Sequence, residues 1–359
     1  MNTNKVGYGN YLQLEKILGA QAPVSASVGR PAHDEMLFII THQTYELWFK
    51  QILIELDSVI AFFSADRVGE HEVATSVRRV GRANKIMELV IQQFPVIETM
   101  TALDFLEFRD LLHPASGFQS GQFRVLETRL GLTDSRRINK SFRESLEDAE
   151  REAVARAEQL PNMFDAVQKW LENMPFLEYS GYQFWKEYRA AVKESFDEDR
   201  RHLTETTFND EERSARLGGI AMLEHSFDAL FDEEQYAVLE EAGERRLSRR
   251  ATLAALFIFI YREFPLLQLP FQFLDGLVAL DHNISAWRYR HALMTSRMIG
   301  GRIGTGGSSG FSYLAQSAVK HRVFGDILSV AGLLISRQRI PELPLELKRE
   351  LEFYFTLKQ

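Results

Sequence analysis

The sequence predicts an all-α protein built as a helical bundle. Apolar residues recur at helical spacing over 35–63, a stretch without glycine or proline, which predicts one long helix. Residues 101–112 begin with a capping pattern, because Asp104 follows Thr101 by three positions. The apolar segment 251–262 is about half the length of a membrane span and predicts a buried helix.

The remaining segments predict further helices. Residues 141–172 begin with the capping pattern SFRE and predict one charged amphipathic helix that continues to Pro175. Residues 187–245 are rich in Asp, Glu and Arg with little strand-type alternation, which predicts an exposed helical insertion closing near Gly243. The segment 271–297 predicts a helix that breaks near Asp281. No Pro/Gly/Ser linker separates two cores, so we expect one domain over 1–359.

Composition and charge exclude several classes of function. The chain has 359 residues and no cysteine, which excludes disulfides, thiolate nucleophiles, iron–sulfur clusters and thiolate-ligated haem. Its net charge of −8 argues against nucleic acid as a partner, and the basic run RRLSRR at 245–250 is interpreted as a solvated helix start. The first residues lack a signal pattern. We therefore expect a cytoplasmic protein with neither a nucleic-acid nor a membrane partner.

The glycine-rich stretch GGRIGTGGSSGF at 300–311 contains a G-x-S-x-G pattern and comes within one residue of a phosphate-binding loop. Both motifs need a preceding strand, whereas this stretch follows a predicted helix. We therefore expect neither a nucleophile nor a phosphate cradle. A plain flexible linker is a more plausible alternative, but the residues that follow, FSYLAQSAVKHRVFGDIL, predict another packed helix. A loop between two packed helices usually has a function.

Two histidines lie in apolar helical stripes. The first stripe comprises Phe38, His42, Tyr45 and Phe49, and the second comprises Ile284, Trp287, His291, Met294 and Met298. A histidine in such a stripe is often a core residue whose ring nitrogens are satisfied by backbone groups. The alternative for His291 is an axial haem ligand, because neutral imidazole is the strongest haem ligand that a cysteine-free chain offers.

Two other patterns concern charged side chains. Phe105 and Arg109 lie one helical turn apart, so Arg109 either forms a surface ion pair or clamps a carboxylate through two parallel hydrogen bonds. His33 and Glu35 have the spacing of two ligands of a non-haem iron site, which would need a third ligand from elsewhere.

Five long segments together carry a resemblance to a known family. They are YGNYLQLEKILGAQ, HDEMLFIITHQTYELWFKQI, ETMTALDFLEFRDLLHPASGFQSGQFRVLE, ERRLSRRATLAALFIFIYREFP and WRYRHALMTSRMIGGRIGTGGSSGFSYL. In this order they span nearly the whole chain, and the sequence resembles the tryptophan 2,3-dioxygenase family. The segment 187–245 and the C-terminal tail match more loosely.

The resemblance implies an all-helical homotetramer that holds one haem b per subunit. Such an enzyme uses O2 to open the indole C2–C3 bond of L-tryptophan, giving N-formylkynurenine in the first step of the kynurenine route. By matching position, His291 is the axial ligand of the haem iron, and Ser116 and Gly117 lie near the haem edge. His42 accepts a hydrogen bond from the indole N–H, Arg109 holds the substrate carboxylate, and Thr305 contacts its ammonium and carboxylate groups. The other substrate-binding residues implied are Phe38, Phe105 and, from an N-terminal segment 1–30 packed on a neighbouring subunit, Tyr8, Tyr11 and Leu12.

The glycine-rich stretch then has a function. Its glycines would let the backbone fold over a bound amino acid. The chain departs from the family pattern at Gly121, where a leucine is expected, so we expect looser packing there. Two alternatives remain open: a haem oxygenase on the same scaffold that acts on a substituted tryptophan in a biosynthetic pathway, and a haem-binding sensor or carrier without turnover.

Overall fold

The computed structural model describes residues 6–138, 140–206, 208–300, 302 and 310–353, and the fold they form is all-α. The helices are α1 (Tyr8–Leu12), α2 (Leu14–Leu18), α3 (Val24–Ser27), α4 (Asp34–Phe63), α5 (Glu70–Gln92), α6 (Phe94–Ile97), α7 (Ala102–Arg109), α8 (Gly121–Leu130), α9 (Asp148–Glu158), α10 (Met163–Glu172), α11 (Phe184–Glu205), α12 (Asp210–Phe231), α13 (Glu233–Glu241), α14 (Arg249–Ile260), α15 (Pro265–Ile299), α16 (Gly310–Lys320), α17 (Gly325–Ser329) and α18 (Leu345–Leu351). Two short strands, β1 (Glu178–Tyr179) and β2 (Tyr182–Gln183), pair antiparallel. Short 3-10 helices lie at Asp110–Leu112, Gly117–Gln119, Asp134–Arg136, Lys140–Ser145, Pro175–Leu177, Val330–Leu333 and Arg337–Arg339.

Three long helices, α4, α5 and α15, form the centre of the bundle. Each places an apolar stripe against the others, and the side chains of Leu56, Met87 and Leu277 are fully excluded from solvent. The helices α5 and α15 approach closely at Gly276, where an added Cβ would lie 3.2 Å from a methyl group of Val80. This close packing fixes the position of α15, the helix that carries His291.

Three of the predicted helices are confirmed. Helix α4 covers 34–63 without interruption, and α14 covers 249–260 with every residue from 251 to 258 buried. At the start of α7, Thr101 Oγ1 accepts a hydrogen bond from the Asp104 N–H, and Asp104 Oδ2 accepts one from the Thr101 N–H. Local periodicity and capping therefore determine these helices.

The prediction of one helix over 141–172 is wrong. The chain forms a 3-10 turn, then α9, then a break, and α10 begins only at Met163. Pro161 lies in the break, where its missing N–H and fixed φ interrupt a helix. Asn162 then caps α10, because its side-chain oxygen accepts a hydrogen bond from the Asp165 N–H at 3.0 Å.

The break predicted near Asp281 does not occur. Helix α15 runs continuously for 35 residues, with Pro265 in its first turn and Pro270 inside it. The buried Asp281 carboxylate instead accepts a hydrogen bond from the Val323 N–H at 2.9 Å. This contact with a residue distant in the sequence therefore explains how α15 accommodates a buried acidic side chain without a break. The glycine-rich stretch does follow a helix, as predicted, since α15 ends at Ile299.

The segment 187–245 is helical, but it is not simply an exposed insertion. It corresponds to most of α11 together with α12 and α13. Their charged faces are exposed, whereas Tyr188, Phe227 and Phe231 are buried in the main core. The division of the chain into a domain and an insertion stays an interpretation.

Two local expectations are corrected. Gly121 does not loosen the packing, because a Cβ at this position would lie 2.7 Å from the Glu150 Cβ of α9. The basic run at 245–250 is not simply solvated: Arg246 stacks on the Phe164 ring at 3.6 Å, and burial lowers its pKa to about 10. In addition, Arg249 donates to the Leu230 carbonyl.

Among the described helices, no single one is long and apolar enough to cross a membrane. The pair α14 and α15 passes the same test together, with a bend of 116° between them.

Candidate functional site

His291 on α15 is the first residue of the candidate site. Its ring lies 5.4 Å from the Trp287 ring and 6.2 Å from the Phe94 ring, between centroids. Its Nδ1 atom is buried and has no hydrogen-bond partner among the described residues. Burial, together with the nearby His42, lowers the pKa of His291 to about 4. The imidazole is therefore neutral at pH 7, which is the form that binds a metal ion.

Other buried polar atoms beside His291 also lack partners among the described residues. They include Trp287 Nε1 and Arg124 Nε. A cavity between α8, α15 and α16 is lined by Gly117, Phe123, Arg124, Glu127, Trp287, Arg288, His291, Tyr313, Leu314, Ser317 and His321. Leaving a buried donor unsatisfied costs about 1–3 kcal/mol, so these atoms indicate a ligand that supplies acceptors.

The chemistry of this donor set fits haem. A neutral imidazole offers a lone pair to an iron atom, and aromatic rings offer apolar faces to a porphyrin. The N–H groups of Trp287 and Arg124 offer hydrogen bonds to carboxylates. Gly117, which the sequence placed near a haem edge, lines the same cavity, and Ser116 precedes it with its N–H donating to Gln119 Oε1 at 2.7 Å.

His42 lies on α4 in a second, aromatic part of the site. Its Nδ1 lies 2.7 Å from the Phe38 carbonyl oxygen, which can only accept, so Nδ1 carries the proton. The other ring nitrogen, Nε2, is then an acceptor. Burial lowers the pKa of His42 although the Phe38 carbonyl and Glu46 oppose this effect, and the neutral tautomer is favoured. His42 is thus prepared to accept a hydrogen bond from a ligand N–H.

Phe38, Phe105 and Phe108 form an aromatic wall beside His42. The Phe38 ring lies 4.1 Å from the His42 ring and 5.7 Å from the Phe105 ring. These rings belong to one buried cluster with Met294 and Met298 of α15. The two histidine stripes predicted from the sequence therefore meet in space.

Arg109 is the last residue of α7, one turn after Phe105. Its side chain is only 16% exposed, and its guanidinium is 4.0 Å from the Asp110 carboxylate, which is 91% exposed. This geometry does not match a well-formed surface ion pair. Thr305, the other predicted partner of a bound amino acid, lies outside the described residues.

The structure does not bring the N-terminal residues into this cluster within one chain. Tyr8 and Tyr11 on α1 are 77% and 74% exposed, and Leu12 is also exposed. Their predicted role in the site of a neighbouring subunit stays a prediction.

The non-haem iron alternative at His33 and Glu35 receives no support. The Glu35 carboxylate is buried and accepts hydrogen bonds from the N–H groups of Val24 and Ser25 at 2.7 and 2.9 Å. It therefore fixes α3 to the start of α4. Within the described part of the chain, no group of three His, Asp or Glu side chains could hold a metal ion.

Sequence reasoning missed one prominent feature of the cavity. Its lining includes Glu127, a carboxylate that contacts arginines from α8, from the segment after α8 and from α15. Only the Arg124/Glu127 pair, three residues apart, was visible as a local pattern. The other partners come from distant parts of the chain.

Comparisons of the whole chain with known proteins point to one family. A family model described as tryptophan 2,3-dioxygenase matches residues 1–334. The tryptophan 2,3-dioxygenase of Bdellovibrio bacteriovorus is 46% identical over 357 residues, which cover 98% of this chain and 99% of that protein. Tryptophan 2,3-dioxygenase B of Danio rerio is 43% identical and the mouse enzyme 42% identical, each over 341 residues that cover 94% of this chain and 84% of the relative.

Proposed function

Because this chain belongs to the tryptophan 2,3-dioxygenase family, we propose that it uses O2 to open the indole C2–C3 bond of L-tryptophan, giving N-formylkynurenine. One observation carries the proposal: a neutral, buried His291 with an unpartnered nitrogen lies near a neutral His42 whose free nitrogen is an acceptor. The first suits an iron ligand and the second suits the indole N–H. Both groups have the protonation state that their roles require.

His291 would hold the iron of a haem b, and the cavity lined by Gly117, Trp287 and Arg124 would take the rest of the macrocycle. When bound, haem iron supplies the binding and activation of O2, which no side chain of this chain can provide. Trp287 and Arg124 would donate hydrogen bonds to the carboxylates of the cofactor, and Ser116 would lie near the haem edge.

His42, Phe38, Phe105 and Arg109 would bind the substrate. His42 Nε2 accepts a hydrogen bond from the indole N–H, and the rings of Phe38 and Phe105 enclose the indole and exclude water. Arg109 pairs with the substrate carboxylate, because a zwitterion brought out of water needs both charged ends paired. Thr305 would complete this pairing at the ammonium and carboxylate groups.

The finer features that the resemblance implied belong to the same proposal. Tyr8, Tyr11 and Leu12 would cover the site of a neighbouring subunit in a homotetramer, since they are exposed in the single chain. The enzyme would work in the cytoplasm. A substituted tryptophan as the substrate is not favoured, because the relatives named above are all called tryptophan 2,3-dioxygenases.

The proposal is tested by an absorption spectrum of the purified, reduced protein with and without L-tryptophan, followed by a product assay under air. We expect a haem spectrum that L-tryptophan perturbs, one haem per chain, and N-formylkynurenine formed with consumption of O2. If the haem-loaded protein binds L-tryptophan but forms no product, the proposed enzymatic activity is wrong and a sensor or carrier is favoured. Faster turnover of a ring-substituted tryptophan than of L-tryptophan would identify the other substrate class.

A further inference from the structure

Beside the His291 cavity lies a cluster of five buried ionisable side chains, which we call the Glu127 cluster. Its members are Arg124, Glu127, Arg137, Arg288 and His321, and each side chain is at most 8% exposed. They come from α8, from the segments that follow α8 and α16, and from α15. The cluster therefore joins three walls of the cavity.

A single carboxylate organises the cluster. Glu127 Oε1 lies 2.5 Å from Arg288 Nη2, and Glu127 Oε2 lies 3.0 Å from Arg124 Nη1 and also accepts from Arg137 Nη1. Burial opposes ionisation, yet the three arginines hold the pKa of Glu127 well below its usual range. Glu127 is therefore a carboxylate with three guanidinium partners.

His321 completes the array as a neutral ring. Its Nε2 accepts a hydrogen bond from the Ile138 N–H at 3.1 Å, so the ring proton lies on Nδ1. That Nδ1 faces Glu127 Oε1 at 3.8 Å, and the His321 carbonyl accepts a hydrogen bond from Arg288 Nη1 at 3.2 Å. Burial lowers the pKa of His321, which keeps the ring uncharged.

The positive charge of the cluster exceeds its negative charge. Arg137 also pairs with the half-exposed Asp134 at 3.6 Å, and the buried Asp281 attracts Arg288 at longer range. Within the described residues, Glu127 is the ion-pair partner of Arg124 and Arg288. These two arginines line the cavity, whereas Arg137 does not. Buried charge is costly unless it is balanced, so an anionic group of a ligand in the cavity would be stabilised by these two arginines.

We propose that Glu127 is a positioning residue, which holds Arg124 and Arg288 so that their positive charge faces a carboxylate-bearing ligand bound beside His291. The identity of that ligand as haem rests on the function proposed above. Glu127 lines the cavity, but in this assignment both of its carboxylate oxygens stay paired with arginines rather than with the ligand. Its effect passes through the two guanidinium groups, and His321 and Arg137 hold the carboxylate in place.

Positioning and net charge predict opposite outcomes for Glu127→Gln. The substitution removes the negative charge of the cluster, so attraction by net charge alone would make the protein retain an anionic ligand more tightly. Loss of positioning leaves three arginines that repel one another, and the ligand would be held less tightly. The sign of the change therefore separates the two explanations.

The experiment measures haem loss from the purified, haem-loaded full chain into an excess of a haem-scavenging protein. Wild type is compared with Glu127→Gln and with the matched control Glu55→Gln, which removes another buried, ion-paired carboxylate from α4. Each protein is also loaded with haem dimethyl ester, which lacks free carboxylates. Circular dichroism and thermal melting check that the fold is kept.

We expect Glu127→Gln to lose haem at least about 10-fold faster than wild type, and Glu55→Gln to behave like wild type. Wild type should retain haem at least about 10-fold longer than the dimethyl ester, and this preference should shrink in Glu127→Gln. Unchanged or slower haem loss in folded Glu127→Gln overturns the proposal. If that variant does not fold, Glu127→Asp decides, since it keeps the charge and displaces the carboxylate: faster haem loss supports positioning, and unchanged loss overturns it.

These readouts need no turnover, so this proposal and the proposed function can fail separately. A protein that loses haem as described but forms no product from L-tryptophan keeps the assignment of Glu127 and overturns the dioxygenase activity. If the enzyme is fully active and its haem retention does not depend on Glu127, only the assignment of Glu127 as a positioning residue is overturned. A chain that takes up no haem overturns both.

Discussion

The two sides of the candidate site are built differently. The proposed cofactor side, formed by α8, α15 and the segments after α8 and α16, comprises Trp287, His291 and the Glu127 cluster. It contains buried charges and several polar atoms without a hydrogen-bond partner among the described residues. The substrate side, formed by α4 and α7, comprises Phe38, His42, Phe105 and Arg109, and its histidine already has a hydrogen-bonded Nδ1. Among the described residues, the proposed cofactor side therefore has polar atoms left for a ligand, whereas the histidine of the proposed substrate side is already held in one tautomer.

This difference supports the two proposed roles. Unsatisfied buried donors make the protein without ligand less stable, which is acceptable for a group that stays bound. A side that is satisfied without ligand can release and rebind a molecule at each turnover. We therefore expect changes on the cofactor side to alter haem content, and changes on the substrate side to alter kinetics at unchanged haem content.

The largest effect should come from His291→Ala, because the remaining contacts to a non-covalent macrocycle do not fix its iron. We expect loss of stable haem, measured as Soret absorbance per chain. His282→Ala is the matched control, since His282 is an exposed histidine on the same helix. Full haem occupancy with an unchanged axial ligand in His291→Ala would remove the basis for the cofactor side.

Arg109→Leu should have the next largest effect, with haem content unchanged. Loss of a desolvated partner of the substrate carboxylate should lower kcat/KM for L-tryptophan by at least about 2 kcal/mol, or roughly 30-fold. Tryptamine lacks the carboxylate, so its turnover by the variant should change little. Steady-state kinetics with both substrates measure this, and equal turnover of tryptamine and L-tryptophan by wild type would contradict the role of Arg109.

Thr305→Ala should lower kcat/KM by about one to two decades, or about 1.4–2.7 kcal/mol, through a lost hydrogen bond to a charged group of the substrate. Ser308→Ala is the control in the same glycine-rich stretch and should retain activity, since no nucleophile is expected there. Haem content should stay normal in both. An inactive Ser308→Ala together with a fully active Thr305→Ala would reverse this assignment.

The features that the sequence predicted depend on residues close together in the chain, and the features that it missed depend on contacts between distant residues. Helices α4 and α7 were predictable because periodicity and the Thr101 cap act within a few residues. The two histidine stripes were visible for the same reason. The Glu127 cluster was not, because Arg288 lies 161 residues from Glu127 and their contact depends on how α8 packs against α15. The helix break predicted near Asp281 was wrong, and the hydrogen bond that Asp281 accepts from the distant Val323 was not visible in the sequence for the same reason.

His42→Ala should have the smallest effect on binding, because one neutral hydrogen bond contributes about 0.5–1.5 kcal/mol. Haem content should stay normal, and the spectrally measured Kd for L-tryptophan should rise by between about 2-fold and 13-fold.

The pH dependence of L-tryptophan binding sharpens this expectation. Burial lowers the pKa of His42 below its usual value of 6.5. The neutral acceptor form therefore predominates at pH 6.5 and above, and it is lost only as the pH falls through the lowered pKa. Wild type should therefore bind L-tryptophan equally well from about pH 8 to 6.5 and more weakly toward pH 5, whereas His42→Ala should show no such decline. If the affinity of His42→Ala for L-tryptophan declines in the same way, the titration belongs to another group. If the affinity of wild type already weakens between pH 8 and 7, the lowered pKa of His42 is contradicted.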